Sequence, residues 1–147
     1  MRPMERQKGF KHVFYKLTVS IALGFFAFIL WAIYQANTGS SNLFFDLIQP
    51  LPYGDKLGHF GLFGLLTLLA NLASRCRTLS IGRFKLYWGS TAVSLFVLIE
   101  ELSQGLIPTR TLDMMDLAAD GLGITLFSLL TYLIATNTRS QTAHEKT

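Results

Sequence analysis

Four long segments that are nearly free of charge constrain the fold of this chain more than any other feature. They lie at residues 17–34, 57–74, 86–103 and 116–135. A helix of about 18 residues extends ~27 Å, close to the ~30 Å hydrocarbon thickness of a bilayer. Half of the 147 residues are apolar and only 15% are charged, which is too apolar for an ordinary soluble domain. The sequence therefore predicts an all-α, polytopic membrane protein with four transmembrane helices arranged as two hairpins.

The first apolar segment follows a basic start, which is also the pattern of a secretory signal peptide. Its uncharged run is longer than the apolar core of a typical signal peptide, and no small-x-small cleavage site is evident near Ala36. We therefore interpret residues 17–34 as an uncleaved anchor. Residues 1–16 are then a basic cytoplasmic N-terminus.

The connections between the segments differ in character. Residues 37–54 are expected to form a loop, within which residues 43–48 suit either a short interfacial helix or a plain surface loop. Four basic residues crowd a short loop at residues 75–85. Residues 137–147 are polar and are expected to be a disordered cytoplasmic tail.

The distribution of Lys and Arg gives the expected topology. Of the thirteen basic residues, five precede the first segment, four lie at residues 75–85 and two lie in the tail. Lys56 and Arg110 remain for the opposite side. Because cytoplasmic loops are enriched in Lys and Arg, both termini are predicted to be cytoplasmic. The same distribution explains the formal net charge of +4 without a nucleic-acid partner, and no basic-aromatic nucleic-acid motif is present.

Small residues mark the second segment. Gly54, Gly58, Gly61 and Gly64 recur at spacings of three or four residues. Such spacing lets another helix approach closely in lipid, where packing drives association. We expect a helix contact along this segment.

The polar residues inside or beside the apolar segments fall near the outer end of the predicted bundle. They are Asp55, Lys56, His59, Glu100, Glu101, Gln104, Arg110, Asp113, Asp116 and Asp120. Ionisable groups are costly in a bilayer and commonly serve a function there. Because these residues come from distant parts of the sequence, we expect an outward-facing polar pocket built from both hairpins.

Three spaced motifs in this polar set resemble those of the VanZ-like family of small bacterial membrane proteins. The motifs are Asp55-Lys56-x-x-His59-Phe60, Glu101-x-x-Gln104, and Arg110-x-x-Asp113-x-x-Asp116 leading into Gly121-x-Gly123. The resemblance covers roughly residues 54–124. One position departs from the family pattern, which usually has Asn where this chain has Asp120. The resemblance implies a multi-pass protein of the bacterial inner membrane and cell envelope, with a link to antibiotic (teicoplanin) resistance but no defined biochemical activity.

Spacing allows a chemical and a structural interpretation of the acids around His59. Asp55 and His59 are four residues apart and suit an acid–base pair on one helix face. Alternatively, Asp55 caps the helix and His59 donates to a backbone carbonyl. Glu100 and Glu101 precede Gln104 by four and three residues, so at least one carboxylate should contact the amide. One of the two adjacent acids is expected to reach headgroup water instead.

The third motif combines a cation with several acids. Arg110 is the expected anion-binding group, since its guanidinium suits carboxylates and phosphates. The alternative is an ion pair with Asp113, Asp116 or Glu101. Asp113 has the position of a helix N-cap, with an acid three residues on. Asp116 and Asp120 are four apart, and in a low dielectric they require protonation of one acid, a partner such as Lys56 or Arg110, or a bound metal.

These residues together suggest a pocket that binds or modifies a lipid headgroup or a cell-envelope precursor. In this hypothesis His59 transfers protons, Glu101 and Asp116 are its acidic, catalytic partners, and Arg110 together with Lys56 binds the anionic group. The substrate-binding residues would be Asp55, Lys56, Gln104, Arg110, Asp113 and Asp120. No metal site is expected, because no dense ligand motif such as His-Glu-x-x-His occurs. The alternative is a structural scaffold, or a subunit of an envelope complex, whose charge network only holds the helices together.

Overall fold

Helices dominate the structure, a computed structural model that describes residues 3–38, 52–107 and 110–144. The four helices in these ranges are α1 (Pro3–Asn37), α2 (Gly54–Ala73), α3 (Trp88–Gln104) and α4 (Met114–His144). Two short strands, β1 (Thr78–Ile81) and β2 (Phe84–Tyr87), form an antiparallel hairpin between α2 and α3. The all-α prediction is confirmed in its coarser form, since the chain is mostly helical, but the β1–β2 hairpin was not predicted. Residues 43–48, the predicted interfacial helix or loop, lie outside the described residues.

Three of the helices have the length and composition of membrane spans. The segments that meet both conditions are His12–Asn37 in α1, Gly54–Ala73, and Met114–Asn137 in α4. The membrane class predicted from the sequence agrees with this finding. α3 has 17 residues, which corresponds to about 26 Å and is slightly less than a ~30 Å hydrocarbon core.

α2 is the central helix of the bundle. It packs against α1, α3 and α4, and its contact with α4 is the most extensive between any two of these elements. The buried apolar core comprises Ile29 of α1, Phe63 and Leu66 of α2, and Val93 and Val97 of α3. Many other large apolar side chains are exposed, including Leu23, Leu30, Leu95, Leu98, Leu122, Leu126 and Leu129. An outward apolar surface of this extent is expected of a bundle surrounded by lipid.

Two glycines let α2 and α4 approach closely. A Cβ atom on Gly123 would clash with the backbone carbonyl oxygen of Phe60, and one on Gly64 would lie 2.5 Å from an aromatic ring of α4. The predicted glycine contact is therefore present at Gly64. At Gly58 and Gly61 the expectation is wrong, because no described atom lies within 4 Å of where a Cβ would be.

Three segments are more regular than the sequence suggests. The loop predicted at residues 75–85 contains most of the β1–β2 hairpin, whose turn includes Gly82 with a φ of 60°. α1 begins at Pro3, a residue suited to the first helical turn, so much of the basic N-terminal segment is helical. α4 continues to His144 and so includes residues 137–144 of the segment predicted to be disordered, which has no Pro or Gly to end a helix.

Alanine at position 123 is expected to destabilise the bundle. Gly123→Ala places a methyl group against the α2 backbone, and overpacking of this kind costs about 1–3 kcal/mol. The matched control is Gly121→Ala on the same helix, because a Cβ there meets open space and alanine has the higher helix propensity. Thermal unfolding in detergent should show a lower midpoint for Gly123→Ala and an unchanged or higher midpoint for Gly121→Ala. Equal midpoints would contradict this view of the helix crossing.

Candidate functional site

Polar side chains from three helix ends meet at one end of the bundle. The contributions are Asp55, Lys56 and His59 from the first turns of α2, Glu100, Glu101 and Gln104 from the end of α3, and Asp113, Asp116 and Asp120 from the start of α4. Hydrogen bonds and ion pairs join α2 to α4 and α3 to α4 through these residues. The prediction that polar residues from distant parts of the sequence lie close together is therefore confirmed.

The Lys56 ammonium is surrounded by carboxylates from two helices. Its Nζ lies 2.7 Å from Asp55 Oδ2, 2.6 Å from Asp113 Oδ2 and 2.9 Å from Asp116 Oδ1. The contact with Asp116 is an ion pair without hydrogen-bond alignment, since this buried Oδ1 accepts no hydrogen bond from any described residue. Lys56 thus ties the start of α2 to the start of α4.

Asp55 pairs with its neighbour and does not cap α2. The N-cap residue is Tyr53, which has a left-handed backbone with a φ of 60° and makes no side-chain capping bond. The Asp55 carboxylate accepts a hydrogen bond from Lys56 instead. Within the described residues, no hydrogen bond or ion pair joins Asp55 to His59, so both sequence interpretations of Asp55 are wrong. Asp55 and His59 lie four residues apart on α2, as expected, but Asp55 pairs with Lys56 and His59 pairs with Asp120.

Asp113 is the N-cap of α4, as the sequence predicts. Its Oδ1 accepts a hydrogen bond from Met115 N at 2.8 Å, and its backbone carbonyl accepts one from Leu117 N. Its own backbone N–H donates to Glu101 Oε1 at 2.8 Å. The hydrogen bond from the Lys56 ammonium holds the pKa of the Asp113 carboxyl below its ordinary value. Asp113 consequently connects the ends of α2, α3 and α4.

Glu100 and Glu101 are both buried, with 7% and 2% exposure. The Gln104 amide donates to both carboxylates, with Nε2 3.0 Å from Glu100 Oε2 and 3.1 Å from Glu101 Oε2. The predicted amide contact is confirmed, but the expectation that one acid reaches headgroup water is wrong. The side chains of Glu100 and Glu101 point about 100° apart around α3. Because α2 and α4 both pack against α3, both side chains are shielded from water.

His59 lies between two carboxylates of α4. Its Nδ1 is 3.1 Å and 3.2 Å from the two carboxylate oxygens of Asp120, which is fully buried. Its Nε2 faces Asp116 Oδ2 at 3.8 Å, which is longer than a hydrogen bond. Asp116 and Asp120 therefore have the cationic or donor partners that the sequence requires, namely Lys56 and His59. Asp120 is thus the residue that holds the imidazole.

Arg110 is half-buried at the same end, in the connection from α3 to α4. No carboxylate among the described residues lies within 4.0 Å of its guanidinium. The ion pair considered from the sequence, with Asp113, Asp116 or Glu101, does not form. Within the described residues the guanidinium of Arg110 therefore makes no ion pair, and its fork of donors suits a carboxylate or phosphate.

Acids outnumber cations at this end of the bundle. The described acids there are Asp55, Glu100, Glu101, Asp113, Asp116 and Asp120. They are opposed by Lys56 and Arg110, with His59 as a third cation when protonated. The end therefore attracts protons, cations and hydrogen-bond donors.

Three of these acids also have the arrangement of a cation site. Carboxylate oxygens of Asp55, Asp113 and Asp116 lie within 4.8 Å of one another, and oxygen ligands of this type suit Mg²⁺ or Ca²⁺. Lys56 Nζ contacts all three carboxylates. The ammonium supplies the positive charge that a metal ion would bring, and the expectation of no metal site stays a prediction.

A second buried polar cluster near the other end of α2 was not anticipated from the sequence. Asn71 Nδ2 donates to Ser90 Oγ at 2.9 Å and to Thr131 Oγ1 at 3.2 Å, and Ser90 Oγ lies 2.7 Å from Ser128 Oγ. These neutral groups join α2, α3 and α4. Asn71 is the sequence feature that could have indicated this cluster, because an Asn within an apolar segment needs hydrogen-bond partners in lipid.

Comparison with known proteins gives no relative. No family model matches the chain, and neither a curated protein nor a solved structure matches it.

The charge of Asp113 is expected to stabilise the bundle in a pH-dependent way. Asp113→Asn keeps the capping oxygen and the size of the side chain but removes one of the three carboxylates that contact Lys56. Because the folded-state pKa is lowered, this stabilisation is complete above the unfolded pKa of about 3.9 and is lost as pH falls through the folded value. The difference in melting temperature between wild type and Asp113→Asn should be largest near neutral pH and should shrink below about pH 4. A difference that is constant with pH would show that the charge is not involved.

Proposed function

We propose that the chain is a VanZ-like multi-pass protein of the bacterial inner membrane in which α3 is a fourth span. Exposed apolar side chains along α3, including Leu95, Ile99 and Leu102, support its contact with lipid. The distribution of Lys and Arg supports cytoplasmic termini. In this topology the polar end described above faces outward, toward the cell envelope.

The function that this geometry supports best is binding of a polar headgroup, belonging to a lipid or a cell-envelope precursor, with His59 as a proton-transfer group. One observation carries the proposal: His59 Nδ1 is held by the fully buried Asp120 while Nε2 faces Asp116 at 3.8 Å. A carboxylate at one ring nitrogen fixes the tautomer and orientation of an imidazole. The other nitrogen then remains available to a bound hydroxyl or amine.

The acids around His59 have different parts in this proposal. Asp120 positions the imidazole, and Asp116 lies where it can share a proton or a donor with Nε2. Glu101 accepts from Gln104 and from the backbone of Asp113, so it is a positioning residue for the start of α4. Gln104, buried between Glu100 and Glu101, has the same positioning part.

The anionic part of a headgroup is assigned to Arg110. Lys56, the other candidate, already contacts three carboxylates, whereas Arg110 has none within reach among the described residues. A guanidinium can bind a phosphate oxygen pair through two parallel hydrogen bonds. Lys56 is thus a structural partner of Asp55, Asp113 and Asp116 in this proposal.

A structural scaffold is the second candidate. The observation in its favour is that Lys56 joins the starts of α2 and α4 through short ion pairs. In that case the whole polar end only fixes the helices, and no headgroup enters it.

Native mass spectrometry of the detergent-purified protein tests the binding proposal. The probes are phosphatidylglycerol and a polyprenyl phosphate, and the variant is Arg110→Gln. We expect the wild type to retain one of these ligands and Arg110→Gln to retain at least one bound copy fewer, whatever lipid is held elsewhere on the protein. The matched control is Lys16→Gln, which removes one exposed positive charge on α1. Equal retention by all three proteins, or by none, would contradict a site at Arg110.

Substitution of His59 separates the two candidates. Gln at position 59 retains a donor for Asp120 but cannot accept and release a proton. The binding proposal therefore expects His59→Gln to fold normally and to retain the headgroup, while proton transfer to that headgroup is lost. Lys56→Met is the comparison variant and should unfold at lower temperature, because three carboxylates lose the ammonium between them. The loss of one partner costs about 0.2–1 kcal/mol for an exposed ion pair and about 3–5 kcal/mol for a buried one, and Lys56 lies between these cases. If His59→Gln destabilises the fold as much as Lys56→Met and no probe is retained, the scaffold is the better description.

A further inference from the structure

The β1–β2 hairpin separates apolar and polar side chains onto its two faces. Neighbouring positions in a strand point to opposite faces, and paired residues share a face. One face is apolar, and its pairs are Leu79–Leu86 and Ile81–Phe84. The other face is polar, and its pairs are Thr78–Tyr87 and Ser80–Lys85.

The apolar face is open. Phe84, Ile81 and Leu86 are 72%, 58% and 45% exposed. An isolated two-stranded hairpin is only marginally stable in water, and exposed apolar patches mark surfaces that contact protein or lipid. The apolar face therefore requires a partner outside the described part of the chain.

The turn shows that the hairpin is a regular element. Ile81 pairs with Phe84, which leaves Gly82 and Arg83 as the two central residues. Gly82 has a φ of 60°, and the φ of Arg83 is not positive. Positive φ at the first central position alone defines a type II′ turn, which matches the twist of antiparallel strands. The turn thus fixes the register that gathers the apolar side chains on one face.

The hairpin is basic as well as amphipathic. Arg77, Arg83 and Lys85 are exposed, and none makes an ion pair within the part of the chain that the structure describes. No acid occurs in the sequence between Asp55 and Glu100. An anionic partner would meet attraction and no repulsion at this surface.

The position of the hairpin relative to the bundle selects lipid as that partner. α2, a candidate membrane span, ends at Ala73, and β1 begins at Thr78. β2 ends at Tyr87 and continues directly into α3 at Trp88. The hairpin is therefore tethered at both ends to helices of the bundle, at the level where α2 leaves the bilayer.

We propose that the β1–β2 hairpin is a membrane-surface element that binds anionic phospholipids. Its apolar face enters the boundary between headgroups and acyl chains, and Arg77, Arg83 and Lys85 contact the lipid phosphates. Long basic side chains reach phosphates while their stems lie along apolar surface, and each one near an anionic membrane contributes about 1 kcal/mol. This proposal depends on the membrane class and is independent of the polar end of the bundle.

Tryptophan fluorescence in nanodiscs with brominated phospholipids tests the orientation of the hairpin. The chain has two tryptophans, so Trp31→Phe with Trp88→Phe gives a background without them. Phe84→Trp reports on the apolar face and Ser80→Trp on the polar face of the same hairpin. In phosphatidylglycerol nanodiscs, bromine should quench the Phe84→Trp variant severalfold more than the Ser80→Trp variant. Equal quenching, or shielding of the Phe84→Trp variant from both bromolipid and aqueous iodide, would overturn the proposal, the latter in favour of a protein partner.

Lipid charge tests the basic residues. Quenching of the Phe84→Trp variant should be stronger in phosphatidylglycerol than in phosphatidylcholine nanodiscs, and this difference should disappear with Arg83→Gln and Lys85→Gln. Lys16→Gln is the charge control and should preserve the difference. Quenching that is independent of lipid charge would overturn anionic recognition.

Circular dichroism checks the fold of each variant. If the tryptophan-free background does not fold, phosphatidylglycerol retained by wild type and by Arg83→Gln with Lys85→Gln, compared by native mass spectrometry, decides the same question: equal retention overturns the proposal.

Discussion

The ion pairs of Lys56 are the interaction on which the polar end of the structure depends. α2 and α4 begin at this end with Asp55, Asp113 and Asp116, whose carboxylates would repel one another at such short separations. One ammonium within 2.9 Å of all three removes that repulsion and fixes the two helix starts together. Because α2 contacts every other helix, this junction also sets where the end of α3 meets α4. The Glu101 bond to the Asp113 backbone and the Asp120 bond to His59 both require that arrangement.

The α2–α4 contact is held at three levels by different physical means. Charges act at the first turns, close glycine packing acts at Gly64 and Gly123, and neutral hydrogen bonds of Asn71 act near the far end of α2. Neutral polar groups and small residues are the usual means of helix association in lipid, where apolar burial gives little advantage. A pair of helices fixed over this length cannot easily rotate about their axes. The imidazole of His59 is consequently held in place by the packing of α2 against α4, as the proposed role in proton transfer would require.

The sequence predicts the presence of the helices better than their bounds or their partners, since α1 and α4 extend well beyond the predicted segments. Long uncharged segments place α2 and α3 to within a few residues, and the capping position of Asp113 marks the start of α4, because both signals are local. The His59–Asp120 pair depends on how α4 is rotated against α2, and the burial of both Glu100 and Glu101 depends on helices packed on two sides. Neither is encoded in local spacing. The hairpin had a local signal, since apolar and polar residues alternate on both sides of Gly82, but a cluster of basic residues in a short segment is more often a loop.

The segregation of charge along the chain relates the two ends of the bundle. Asp55 and Glu100 bound a stretch without acids, and that stretch contains the end of α2, the hairpin and the start of α3. The end with His59 carries six carboxylates, and the end with the hairpin carries unpaired Arg and Lys side chains among the described residues. In the proposed topology the basic end lies at the anionic cytoplasmic leaflet, and exchange of the two ends across the bilayer would lose that attraction. The acidity around His59 and the basicity of the hairpin are thus two sides of one charge asymmetry, which a charge of the opposite sign at either end would weaken.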